Sequence, residues 1–99
     1  MIEEIKKKLE EHLSINHLEI SDDSMHHIGH EQNVSGGGHY SALIVSDSFN
    51  GMSLIERHRR VYKALDGLIG GEIHAFSMKT LTREEYDRTN LALLRAPNS

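Results

Sequence analysis

The chain has 99 residues, 37% hydrophobic and 26% charged, with a formal net charge of −4 at pH 7. This is one domain of ordinary globular composition, and its negative sign excludes a generally basic nucleic-acid binder while leaving a local basic patch open. There is no cysteine, which excludes disulfides, thiol catalysis and any zinc or iron–sulfur site that needs thiolate from this chain alone.

The opening stretch MIEEIKKKLEEHL is charged throughout. It reads as neither a secretory signal nor a membrane span, and the expectation is a cytoplasmic protein with no membrane role. Ile2, Ile5, Leu9 and Leu13 recur at helical spacing, and Glu3–Lys7 and Glu4–Lys8 are favourably oriented i,i+4 pairs. The spacing predicts a first helix ending near Ser14 and Asn16. Residues 17–21, HLEIS, alternate Leu18 and Ile20 with polar residues and predict a short strand.

HHIGHEQNVSGGGHY follows at 26–40, with four of the eight histidines beside three consecutive glycines. Imidazole is a good borderline metal ligand, and glycine lets a loop turn its side chains inward. The spacing matches no strong zinc signature, so a solvated polar loop and a metal loop both remain open. Next, HYSALIVSD (39–47) gives the strongest strand signal, and SFNG (48–51) supplies a turn.

Ser53 and Glu56 form a capping box that opens a second helix. On a helical wheel Leu54, His58, Val61, Tyr62 and Leu65 share one face, opposite Arg57, Arg59, Arg60 and Lys63. The basic face is a solvated surface, or a contact for phosphates or an acidic protein. Glycines 67, 70 and 71 then allow a short extra helical turn and a stop.

EIHAFSMKT (72–80) predicts a third strand, with Ile73, Ala75 and Ser77 on one face and His74, Phe76 and Met78 on the other. There His74 is a half-buried residue satisfied internally, or a ligand presented from a rigid element. Thr82 and Glu85 repeat the capping box and open a last helix. The expected unit is a single domain over 1–95 with a frayed tail at 96–99. The order is α-β-β-α-(α)-β-α, an α+β two-layer sandwich. No nucleophile elbow or phosphate loop is present, and the expectation is a non-enzyme with no catalytic residues.

Residues 44–86 contain VSD.F.G.S...RHR.VY.AL, a glycine-containing turn, IHA in a strand, and T.EE opening the last helix. In combination these resemble the BolA family closely, and the first helix and the GH…HY loop extend the likeness over nearly the whole chain. The resemblance implies a fold similar to the class II KH type. It also implies a partner: BolA-like proteins pair with monothiol glutaredoxins, and the pair can hold a bridging 2Fe-2S cluster used in iron–sulfur trafficking or iron regulation. Glutaredoxin gives one cysteine and its bound glutathione another. The BolA-like chain gives a histidine from the third strand, here His74, and a second ligand from the loop between the first two strands. The family's GH pair before HF/HY is matched by Gly29-His30 and His39-Tyr40, which carries the loop role to His30, with His26 and His27 as alternates. The isolated chain is expected to hold no cofactor tightly. A reading of another class is a DNA-binding transcriptional regulator using the KH-like fold. Arg57, Arg59, Arg60 and Lys63 would then contact the nucleic acid, and Gly67–Gly70 has the GXXG form of KH loops without its usual basic residues.

Overall fold

In this computed structural model residues 1–23 and 38–95 are described. His26, His27, His30 and the tail 96–99 lie outside the described residues. The elements are α1 (Ile2–His12), β1 (Ile15–Asp22), β2 (Gly38–Ser46), a short 3-10 helix (Asp47–Phe49), α2 (Leu54–Ala64), β3 (Ile73–Leu81) and α3 (Arg83–Arg95). The expected order stands, and the glycine-rich stretch after α2 forms hydrogen-bonded turns. Gly67 and Gly70 sit there at φ +94° and +88°, the left-handed region that favours glycine.

The sheet runs β1-β2-β3, with β1 antiparallel and β3 parallel to β2. Parallel strands need a crossover, and α2 supplies it. Tyr40, Ala42 and Ile44 of β2 face a core that includes Ile5, Leu9 and Leu13 from the α1 region, Val61 and Ala64 from α2, and Leu65 at its C-cap. Val45 points the other way and is also buried, at 1% exposure, outside that core cluster. On its face Tyr86 of α3 stacks on His17, with ring centres 5.0 Å apart. Thus α1 and α2 cover one face of the sheet, while α3 meets the other.

Polar residues tie β1 to the end of β2. Buried Ser46 donates to the Ser14 carbonyl at 2.7 Å and accepts from the Ser48 N–H at 3.0 Å. Ser48 Oγ in turn accepts from the Ser14 N–H at 3.0 Å. Each polar group of this knot has a partner, which removes the main cost of its burial.

The buried face of α2 is rotated from the helical-wheel expectation. Val61, Ala64 and Leu65 are buried, whereas Leu54, Ile55 and Tyr62 are 60%, 63% and 43% exposed. Arg57, expected on the solvent side, turns inward. Its Nε donates to the Met52 carbonyl at 3.1 Å, and Nη1 donates to the Thr80 carbonyl at 3.2 Å. Its fork grips Glu85 at 2.8 and 3.2 Å. The guanidinium carbon lies 5.9 Å from the centre of the Phe49 ring. A charge with this many partners competes with apolar residues for an inward position, because its donors are satisfied there.

Both capping boxes form. Ser53 N–H donates to Glu56 at 2.8 Å, and Glu56 N–H to Ser53 Oγ at 3.2 Å. The second pair is Thr82 N–H to Glu85 at 2.9 Å and Glu85 N–H to Thr82 Oγ1 at 3.1 Å. Glu85 therefore caps α3 and anchors Arg57 at once. Arg57 first, and then the Thr82 N–H, hold its carboxyl at about 2, below the usual 4.5. A depressed carboxyl contributes stability that is complete above pH 4.5 and is lost as pH falls through about 2. Glu85→Gln should lower unfolding free energy at pH 7 by about 1–2 kcal/mol, given a partly exposed, charge-assisted bond. In denaturant titrations the gap to the parent chain should shrink as pH falls through that window. A gap that does not change with pH would assign the effect to packing instead.

Candidate functional site

The site is built at the first residues of β2 and β3. Gly38 pairs with Ile73, but His39 pairs with Ala75, so β3 carries one extra residue at His74. A bulge of this kind reverses the alternation on one side of itself. Phe76 and Met78 pack toward the core, and Ile73, expected on the face opposite to theirs, joins them at 0% exposure. The expected grouping of His74 with Phe76 and Met78 is thereby corrected: His74 is exposed. Its ring lies beside that of His39, with centroids 5.3 Å apart and planes tilted by 38°.

Local packing fixes this end of the sheet. The Gly38 N–H donates to the Glu72 carbonyl at 2.9 Å, and the Ile73 N–H to the Leu68 carbonyl at 2.9 Å. A Cβ at position 38 would lie 2.6 Å from Tyr40 Cε2 and 2.9 Å from its hydroxyl, so the ring of Tyr40 occupies the space glycine leaves. Burial, and then the negative charge of Asp22 paired across the ladder, push the Tyr40 phenol up. It remains a neutral packing group at ordinary pH.

His30, carried over as the loop ligand, and its alternates His26 and His27 fall outside the described residues. His39 carries no functional signal in the sequence beyond being the histidine that opens the second strand. Its partnership with His74 depends on the parallel register, which no local pattern displays. Among the described residues no three histidine, cysteine or acidic side chains gather closely enough to hold a metal ion. The two imidazoles are an incomplete ligand set.

The four basic residues of α2 are not equivalent. Arg57 is 12% exposed and committed to Glu85. Arg60 donates to the His12 carbonyl at 3.3 Å, closing the end of α1. Arg59 and Lys63 are exposed. His58 is half-buried. In the GLIG turn Leu68 is buried, and the Gly70 N–H bonds the Ile73 carbonyl at 2.8 Å.

This order of elements agrees with comparison to known proteins. A family profile described as BolA-like protein matches residues 9–85. The chain belongs to the BolA-like family. SufE-like protein 1, chloroplastic/mitochondrial, of Arabidopsis thaliana is 37% identical over 86 residues, covering 82% of this chain and 23% of that protein. The BolA-like chain therefore spans about a quarter of that plant relative. DNA-binding transcriptional regulator BolA of Escherichia coli (strain K12) is 30% identical over 97 residues, 96% of this chain and 88% of that protein. Among solved structures, BolA1 from Arabidopsis thaliana superposes with a TM-score of 0.73 at 32% identity, covering 86% of this chain and 94% of that one. Among the described residues of this BolA-like chain, no helix is long and apolar enough to cross a membrane.

Gly38 offers a direct check on how the site is held. Gly38→Ala should displace Tyr40 and cost about 1–3 kcal/mol by overpacking, read as a lower unfolding midpoint. The histidine ring signals of His39 and His74 should move with it in nuclear magnetic resonance spectra. A stable variant with unmoved rings would show that the tyrosine gives way freely.

Proposed function

We propose that this BolA-like chain is a non-enzymatic partner of a monothiol glutaredoxin, co-ligating a bridging 2Fe-2S cluster for iron–sulfur trafficking or iron regulation. The observation that carries the reading is His74, exposed at a bulge on a strand paired to β2, next to Ile73, whose backbone is bonded to Leu68 and Gly70. A rigid element presents a ligand with less lost entropy than a loop does. The donor set fits a shared cluster. Imidazole without thiolate leaves the cluster's ligation unfinished, and a partner's cysteine and glutathione complete it. Mixed His/Cys ligation also raises reduction potential relative to an all-cysteine shell, since neutral imidazole supplies less negative charge. In this reading the second ligand is His30. Leu54, Ile55 and Tyr62, exposed beside Arg59 and Lys63, offer apolar and basic surface for a protein partner.

The test is anaerobic cluster reconstitution with a monothiol glutaredoxin and glutathione, followed by visible absorption and circular dichroism. The mixed-ligand spectrum should vanish in His74→Ala and weaken in His30→Ala. An unchanged glutaredoxin homodimer spectrum on adding this chain would overturn the proposal.

A DNA-binding role is a second reading, favoured by the exposed Arg59 and Lys63 and by the name of the E. coli relative. Arg57 is committed elsewhere, so the phosphate contacts would fall to these two. Arg59→Ala with Lys63→Ala should lower the slope of log affinity against log salt by about 2. No affinity for duplex DNA even at about 50 mM salt would end this reading.

A further inference from the structure

We infer that His39 and His74 form a two-imidazole site for one divalent transition-metal ion, Zn2+ in the first instance, which the chain binds with no partner present. The site stands on strand geometry and does not depend on the cluster reading.

The rings come from neighbouring strands of a parallel pair, His39 opposite Ala75 with His74 as the extra residue. Their separation is what a shared cation requires. With zinc–nitrogen bonds of about 2.0–2.1 Å, an ion lies about 3.2 Å from each ring centre, and a tetrahedral angle then puts the two centres about 5.2 Å apart. The observed separation is 5.3 Å. The 38° between the planes is no obstacle, because each imidazole can turn about its own metal–nitrogen bond.

A simple ring–ring contact has a similar separation, so the geometry permits both, and chemistry must separate them. His74 is exposed and His39 half-buried, so an ion and two waters can reach the pair. Two protein ligands are fewer than the three or four of catalytic and structural zinc sites, so a dissociation constant on the order of 10–100 µM is expected. Copper(II) should bind more tightly than zinc, and manganese(II) more weakly.

The experiment titrates Zn2+ into the untagged 99-residue chain, without iron, glutathione or glutaredoxin, by calorimetry and by 15N-resolved histidine ring spectra. One equivalent should bind, with ring-nitrogen shifts at both His39 and His74. His39→Ala and His74→Ala should each weaken binding tenfold or more. The triple variant His26→Ala, His27→Ala, His30→Ala should stay within twofold of the parent. Circular dichroism checks that each variant is folded, and His39→Gln and His74→Gln serve if an alanine variant is not. Absence of binding at 500 µM zinc would overturn the inference. So would binding that survives both strand variants and disappears in the loop variant. Neither result bears on cluster ligation, because none of its other components is present.

Discussion

The arrangement depends on Arg57. A single guanidinium holds the start of α2 through the Met52 carbonyl, the end of β3 through the Thr80 carbonyl, and the first turn of α3 through Glu85. Removing a charge from water is costly, and a buried ion pair often returns no more than that cost. The gain here lies in position. Arg57 makes four hydrogen bonds to three partners, so a displaced α2 would strand donors and acceptors together. That penalty sets where the crossover helix begins relative to the strand it delivers. The parallel placement of β3 beside β2, and with it the meeting of His39 and His74, follows from a clamp at the other end of the strand.

The second constraint is the bulge. Strict alternation through β3 would carry His74 to the core side with Phe76 and Met78, and would expel Ile73. Burying Ile73 at 0% exposure and freeing His74 are therefore one event. The hydrophobic gain of a fully buried isoleucine, about 1.5–3 kcal/mol, holds the histidine outside. The burial of Ile73 thus decides the exposure of its neighbour His74. Ile73 is fixed in turn by the GLIG turn, where the Leu68 carbonyl accepts its N–H and the Ile73 carbonyl accepts from Gly70. That turn has the sequence form of a nucleic-acid loop, yet its backbone groups seat the strand.

Much of this was legible in the residues. The element order, both capping boxes, the apolar stripe of α1 and the strand at His74 follow from local periodicity and side-chain chemistry, which act within a few positions. The failures share one cause. Arg57 reads as a solvent-facing residue because its partners, Glu85 and the Thr80 carbonyl, are 28 and 23 positions away. Leu54 and Tyr62 read as core because a wheel records angular spacing, whereas the position of the sheet decides which side is covered. The bulge at His74 is equally silent, since a register shift belongs to a pair of strands. His39 is silent for the same reason: the ring it meets, that of His74, lies across the ladder.

One residue common to two chemistries imposes a logic of its own. An imidazole nitrogen holds one metal centre at a time, so if both readings hold, a divalent ion on His39 and His74 excludes a cluster ligated through His74. The two states differ in what completes them. Water suffices for the ion, while the cluster needs a second protein's thiolates, and thiolate ligands bind far more tightly than water. A weak, reversible occupant would therefore shield an exposed ligand in the free chain and yield when a partner arrives. Weakness is then a functional requirement. A third protein ligand at this end of the sheet would convert a replaceable ion into a resident one and close the site to a shared cluster. The described residues gather no such third ligand.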